Sequence, residues 1–128
     1  PLLFSTMLPP AVAGALLEAI TMLEESEEYT EKLWHNADYF KAKAKKLGFD
    51  IGHSETPITP LFVYDEAKTI AFSKKLLEKG VFISPIVFPT VPTGKGRLRI
   101  MISATHTKEH LDQALKIIEE VGKELEII

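Results

Sequence analysis

The chain has no cysteine, a single tryptophan, only two arginines and no uninterrupted apolar run of membrane-spanning length. Without thiols there is no disulfide framework, no thiolate nucleophile and no cysteine-ligated zinc, a usage that fits a cytoplasmic protein. Without about 20 consecutive apolar residues no helix is expected to span a bilayer. The opening residues 1–23 are apolar, but Pro9 and Pro10 interrupt them and no basic segment precedes them, which argues against a signal peptide. A net charge of −3 excludes the broad basic surface of a nucleic-acid binder. What is present is 128 residues, 45% hydrophobic and 26% charged. That is the make-up of one soluble globular domain large enough to bury a core. The opening "PLLFSTMLPP" has no initiator methionine and starts within a strand-like apolar run, so it reads as a cut through a longer protein.

Periodicity organises the rest. After Pro9 and Pro10, which suit a first helical turn, Val12, Leu16, Ala19, Ile20 and Leu23 recur at helical spacing. A polar "ESEE" at 25–28 then interrupts the pattern. Leu33, Ala37, Phe40, Ala44 and Leu47 form a second helical stripe that ends in lysines and Gly48, as the helix dipole and the left-handed cap prefer. "TPITPLFVY" at 56–64 reads as a strand. Asp65 is an N-cap for a helix over 66–79, closed by Gly80. "VFISPIVF" at 81–88 reads as a second strand, "PTVPTGKG" as a loop and "RLRIMIS" as a third strand. Thr107 caps a last helix with Leu111, Ala114, Leu115, Ile118, Val121 and Leu125 on one face. The expected fold is α+β, an antiparallel sheet of about three strands layered with helices.

Both arginines fall on the third strand, Arg97 and Arg99, while the other thirteen Lys and Arg residues are all lysines. Side chains alternate along a strand. Leu98, Ile100 and Ile102 therefore share the core face, and Arg97, Arg99 and Met101 the other. Two readings are open. The face is simply solvated, or it grips a carboxylate or phosphate through the planar guanidinium fork that lysine lacks. The flanking "PTVPTGKG" favours binding, because ligand contacts often sit on loops held by a rigid sheet.

Other candidates are weaker. His106 and His110 are four apart, but no third ligand is evident and no metal site is expected. "TGKG" is too short for a P-loop. Ser5 and Ser103 lack the surroundings of a nucleophile elbow. "KAKAKK" reads as a solvated helix end, and Trp34 as a core residue rather than a ligand platform.

Taken together, "FSTMLPPAVAGAL" at 4–16, "FPTVPTGKGRLRIMISATHT" at 88–107 and the closing "IIEEVGKELEII" resemble the α-oxoamine synthase family. These are enzymes that use pyridoxal 5′-phosphate (PLP) and have the aspartate-aminotransferase fold. The resemblance implies the small C-terminal domain of PLP fold type I enzymes. Residues 1–128 would then be a single domain of a longer protein, with the large PLP-binding domain absent. It implies that Arg99 holds the amino-acid substrate's α-carboxylate, and so selects which Cα bond stands perpendicular to the pyridine ring. Phe4, Ser5 and Thr6 match the segment that reaches the neighbouring subunit's cofactor phosphate, so a homodimer is implied. Arg97 receives no role. The family's Schiff-base lysine, the aspartate partner of the pyridine nitrogen and the stacking aromatic have no counterpart here. No catalytic residue is therefore expected in this chain, and alone it should be inactive. The implied parent activity condenses an amino acid with an acyl-CoA. "FPTVP", "MISATHT" and "GKEL" look most like the glycine C-acetyltransferase branch (2-amino-3-ketobutyrate CoA ligase, threonine catabolism), making glycine the expected amino acid. "RLRI" and "FSTMLPP" look more like the 8-amino-7-oxononanoate synthase branch (alanine and pimeloyl-CoA, biotin synthesis). The alternatives of another class are a stand-alone ligand-binding module or a dimerisation module.

Overall fold

The computed structural model describes residues 7–128. Phe4, Ser5 and Thr6 lie outside the described residues. The chain divides into two compact units, residues 1–31 and 32–128.

The described part of the first unit is dominated by α1 (Pro10–Glu25), which begins with proline in its first turn as expected. α1 has no buried residue. Val12, Leu16, Ile20 and Leu23, which recur at helical spacing, are 44–56% exposed.

The second unit holds α2 (Glu28–Lys46, from Lys32 onward), β1 (Ile58–Tyr64), α3 (Glu66–Glu78), β2 (Ser84–Ile86), β3 (Gly96–Met101) and α4 (Lys108–Glu124). The strands form an antiparallel sheet of order β1-β3-β2, which makes the fold α+β. β3 is central. Its register sets Phe62 and Ile86 on either side of Arg97, and Pro60 and Ser84 on either side of Arg99. Pro60 is tolerated because β1 is an edge strand.

One face of the sheet is packed. Leu61 of β1 and Leu98 and Ile100 of β3 meet Phe40 and Ala44 of α2, Phe72 and Leu76 of α3, and Leu111, Leu115, Ile118 and Val121 of α4. α2 and α4 contribute the stripes their periodicity predicts. Phe49 stacks on Phe72 at 6.3 Å between ring centroids. Gly122 lets α4 approach, since a Cβ there would stand 2.7 Å from the Phe49 ring. The expected punctuation is present. Asp65 accepts from the Lys68 N–H, Thr107 accepts from the His110 N–H, and Gly48 and Gly80 take positive φ after α2 and α3.

Two expectations need correcting. Trp34 is not a core residue: it is 39% exposed, with the Lys41 ammonium 5.9 Å from its ring centroid. Neighbouring Leu33 and Ala37 take the inward positions on α2, so Trp34 falls off the stripe. The second strand is also much shorter than 81–88. Competing hydrogen bonds cut it at both ends. Val81 N–H is taken by the Leu76 carbonyl, the Ile83 carbonyl accepts from Ser73 Oγ, and a turn at Val87 receives the Thr90 N–H.

Candidate functional site

The alternation expected for β3 is present. Leu98 and Ile100 are buried, Arg97 is half-buried, and Arg99 and Met101 are exposed on the opposite face. Within this unit that face also carries Ile58 of β1 at 41% exposure and, just before β2, Phe82 at 76%. It is an apolar surface with two guanidiniums set in it.

Two clefts meet at Arg99. One, of about 640 Å³, is bordered by His53, Thr56, Pro60, Ile86, Thr90 and both arginines. The other, of about 530 Å³, runs from Phe82 and Met101 to His106, His110 and Gln113. Arg99 borders both. Among the described residues neither arginine forms an ion pair, whereas Lys75, Lys79 and Lys123 do, with Glu124, Glu120 and Glu119. An unpaired guanidinium in a cleft beside apolar walls is a ready receptor for a carboxylate or phosphate.

Arg97 is held differently. Its guanidinium carbon lies 4.8 Å from the Phe62 ring centroid, and its Nε is buried without an acceptor. Phe62 is itself fixed. It stacks on Tyr64 at 5.5 Å, and Gly52, at φ +54°, leaves room for it where a Cβ would stand 2.7 Å from the ring. Tyr64 lies past a β-bulge at φ +68° and donates its hydroxyl to Asp50 Oδ2, while Asp50 Oδ1 accepts from the Gly52 N–H. These two donors hold the Asp50 carboxyl below its ordinary value, the Tyr64 hydroxyl first, and the same bond raises the Tyr64 phenol. Lys95 Nζ lies 5.8 Å from the Tyr64 ring centroid, and Glu66 accepts from the Gly94 N–H at 2.7 Å, which ties the loop before β3 to α3.

The segment after β3 is secured from α2. Asn36 donates to the Ser103 and His106 carbonyls at 3.0 and 2.8 Å, and His106 Nδ1 accepts from the Ser103 N–H. His110 Nδ1 accepts from the Thr107 N–H, closing a capping box. Both histidines are thus engaged in local hydrogen bonds. Among the described residues no group of three or more His, Asp or Glu could hold a metal.

Of the site residues expected from sequence, Arg99 lies in the cleft, whereas the positions of Phe4, Ser5 and Thr6 fall outside the described residues. Sequence reading missed Phe62, Gly52 and Asn36. Only Asn36 left a signal, being a poor helix former in the middle of a helix. Phe62 and Gly52 matter through contacts between distant parts of the chain, which no local pattern encodes.

The sheet, its helical backing and its arginine-bearing opposite face define a small α+β domain. The family model "Aminotransferase class I and II" matches residues 1–118, and the chain belongs to that family. It is 64% identical over its full length to an 8-amino-7-oxononanoate synthase of Treponema denticola, and 61% identical to one of Alkaliphilus oremlandii. In each case it covers 32% of the relative, so the chain spans about a third of the length of the curated relatives it matches. Among solved structures, it superposes on a serine palmitoyltransferase variant from S. paucimobilis with bound PLP–myriocin aldimine. The TM-score is 0.89 at 28% identity, covering 98% of this chain and 32% of that one. The expected glycine C-acetyltransferase branch gives way here, because these curated relatives are 8-amino-7-oxononanoate synthases. No helix of the described residues is long and apolar enough to cross a membrane.

Proposed function

We propose that the chain is the substrate-carboxylate-holding part of a longer PLP-dependent acyltransferase of the α-oxoamine synthase type, which condenses an amino acid with an acyl-CoA. The observation that carries this reading is Arg99, exposed, bordering two clefts and, among the described residues, without an ion pair. The full-length similarity to 8-amino-7-oxononanoate synthases favours that reaction, with alanine and pimeloyl-CoA as substrates, over a glycine C-acetyltransferase and over a stand-alone module.

When bound, PLP supplies the electron sink for chemistry at the amino-acid Cα. The described residues suit a place beside such a group rather than its attachment point. They present guanidiniums to acidic groups, and none of the thirteen lysines lies in the family's lysine motif. In this reading Phe4, Ser5 and Thr6 serve the cofactor phosphate of the neighbouring subunit in a homodimer. Arg99 takes the α-carboxylate in a forked pair of hydrogen bonds, which fixes the rotation of the amino acid about its Cα.

The test is Arg99→Lys in the parent enzyme. Charge is kept but the fork is lost. Truncating one partner of a desolvated charge pair costs on the order of 2–5 kcal/mol, so the amino-acid KM should rise by on the order of tenfold or more. Acyl-CoA affinity should stay nearly unaltered. Wild-type kinetics for Arg99→Lys would reduce β3 to a solvated strand and remove the substrate assignment.

A further inference from the structure

The cleft holds two cations, and an amino acid needs one. Arg97 and Arg99 lie two residues apart on one strand, so their Cα atoms are separated by roughly 7 Å. Like charges so placed repel when nothing anionic lies between or beside them, yet among the described residues no carboxylate pairs with either. Arg97 is nevertheless more tightly positioned than Arg99. The Phe62 ring lies under its guanidinium at 4.8 Å, Gly52 and Tyr64 brace that ring, and the buried Nε has no acceptor. A side chain needed only for solubility gains nothing from such a mount. A guanidinium that must meet a second anion in a set orientation does. The cleft that both arginines border is also lined by Ile58, Pro60, Ile86 and Val91, apolar side chains suited to a hydrocarbon chain. Thr90 and the exposed Glu55 also border it.

The name of the relatives' product places a carboxylate at the far end of its chain from the amino ketone. That acid group must arrive on the acyl donor, because the amino-bearing carbon comes from the amino acid. Two carboxylates therefore enter the reaction. We propose that Arg97 binds the second one, the distal carboxylate of a dicarboxylic acyl donor, and that Phe62 and Gly52 position it. This rests on the acyltransferase reading above and adds to it the group that selects an acid-ended acyl chain.

The experiment uses the full-length enzyme loaded with PLP and two donors of equal carbon number, one ending in a carboxylate and one in a methyl group. Arg97→Met should lower kcat/KM for the acid-ended donor by on the order of tenfold or more, mainly through KM. The methyl-ended donor, the amino-acid KM and PLP retention should change less than about twofold. Phe62→Leu should give an intermediate loss confined to the acid-ended donor, and Phe62→Tyr should restore it. Should Arg97→Met fail to fold, Arg97→Lys carries the same comparison. Equal loss on both donors, a rise in amino-acid KM instead, weakened PLP retention, or a wild-type enzyme indifferent to the acid end would each overturn the assignment. Failure of the underlying reading shows separately, as an Arg99→Lys variant with unchanged amino-acid KM.

Discussion

At Gly52 the backbone stands at φ +54° with the Phe62 ring where a side chain would begin. Alanine there meets both a left-handed backbone and a clash. Gly52→Ala should lower stability by about 1–3 kcal/mol, read as a fall in Tm or denaturation midpoint. Phe62→Leu in the same chain should recover the part due to the clash and not the part due to φ, so the double-mutant cycle separates the two. The neighbouring Asp50–Tyr64 bond has a pH signature. Asp50 titrates below its ordinary value of 3.8 when folded, so its contribution is present above that value and lost as pH falls through the lower folded value. Tyr64 is raised above 10.0, so its contribution is present below 10.0 and lost as pH rises through the higher folded value. Tyr64→Phe should flatten both limbs of stability against pH, as measured by urea denaturation across the range. Nothing about this cluster is visible in a linear reading. Asp50, Gly52, Phe62 and Tyr64 look like a turn and an ordinary strand until the bulge brings them together.

Among the elements, α2 and α4 are legible from their apolar stripes and caps, and α3 from its bounding Asp65 and Gly80. Asp65 and Thr107 were identified as caps from residue type and position alone, and both side chains accept the expected backbone hydrogens. Thr107→Ala should cost about 0.5–2 kcal/mol. His110→Gln should keep most of the stability, since glutamine at that position completes a capping box, whereas His110→Ala should not. Thermal unfolding of the three variants is the check. β2 was legible only in part. Its apolar, β-branched composition predicts eight residues of strand, but Ser73 and Leu76 of α3 claim the backbone groups that would extend it. That competition is tertiary and leaves no mark on "VFISPIVF". The alternation on β3 was the clearest signal of all, because a period of two cannot be shifted by one residue without burying both arginines.

On the scale of the whole molecule, the chain spans about a third of its curated relatives, and α1 keeps an apolar stripe without any buried residue. A 16-residue helix with no buried residue rests mainly on its own helical propensity, which is marginal in water. Amides of α1 in the isolated chain should therefore exchange close to the unprotected rate, while those of α4 are slowed, as hydrogen-exchange mass spectrometry can show. The isolated chain should also acquire no stoichiometric label on a single lysine when treated with PLP and borohydride. One lysine labelled to completion would contradict the placement of the cofactor's attachment point elsewhere. The spacing in the sequence located the α1 helix, but the face it marks is exposed in the structure.

The position of Trp34 has an optical consequence. It is the only tryptophan in the chain, sits half out of water on α2 and borders neither cleft. Its emission is therefore a natural gauge of α2 unfolding and a poor gauge of occupancy at Arg97 and Arg99. A titration of the isolated chain with carboxylates that leaves fluorescence flat says nothing about binding, and a probe placed at Phe82 or Met101 is the one that would see it.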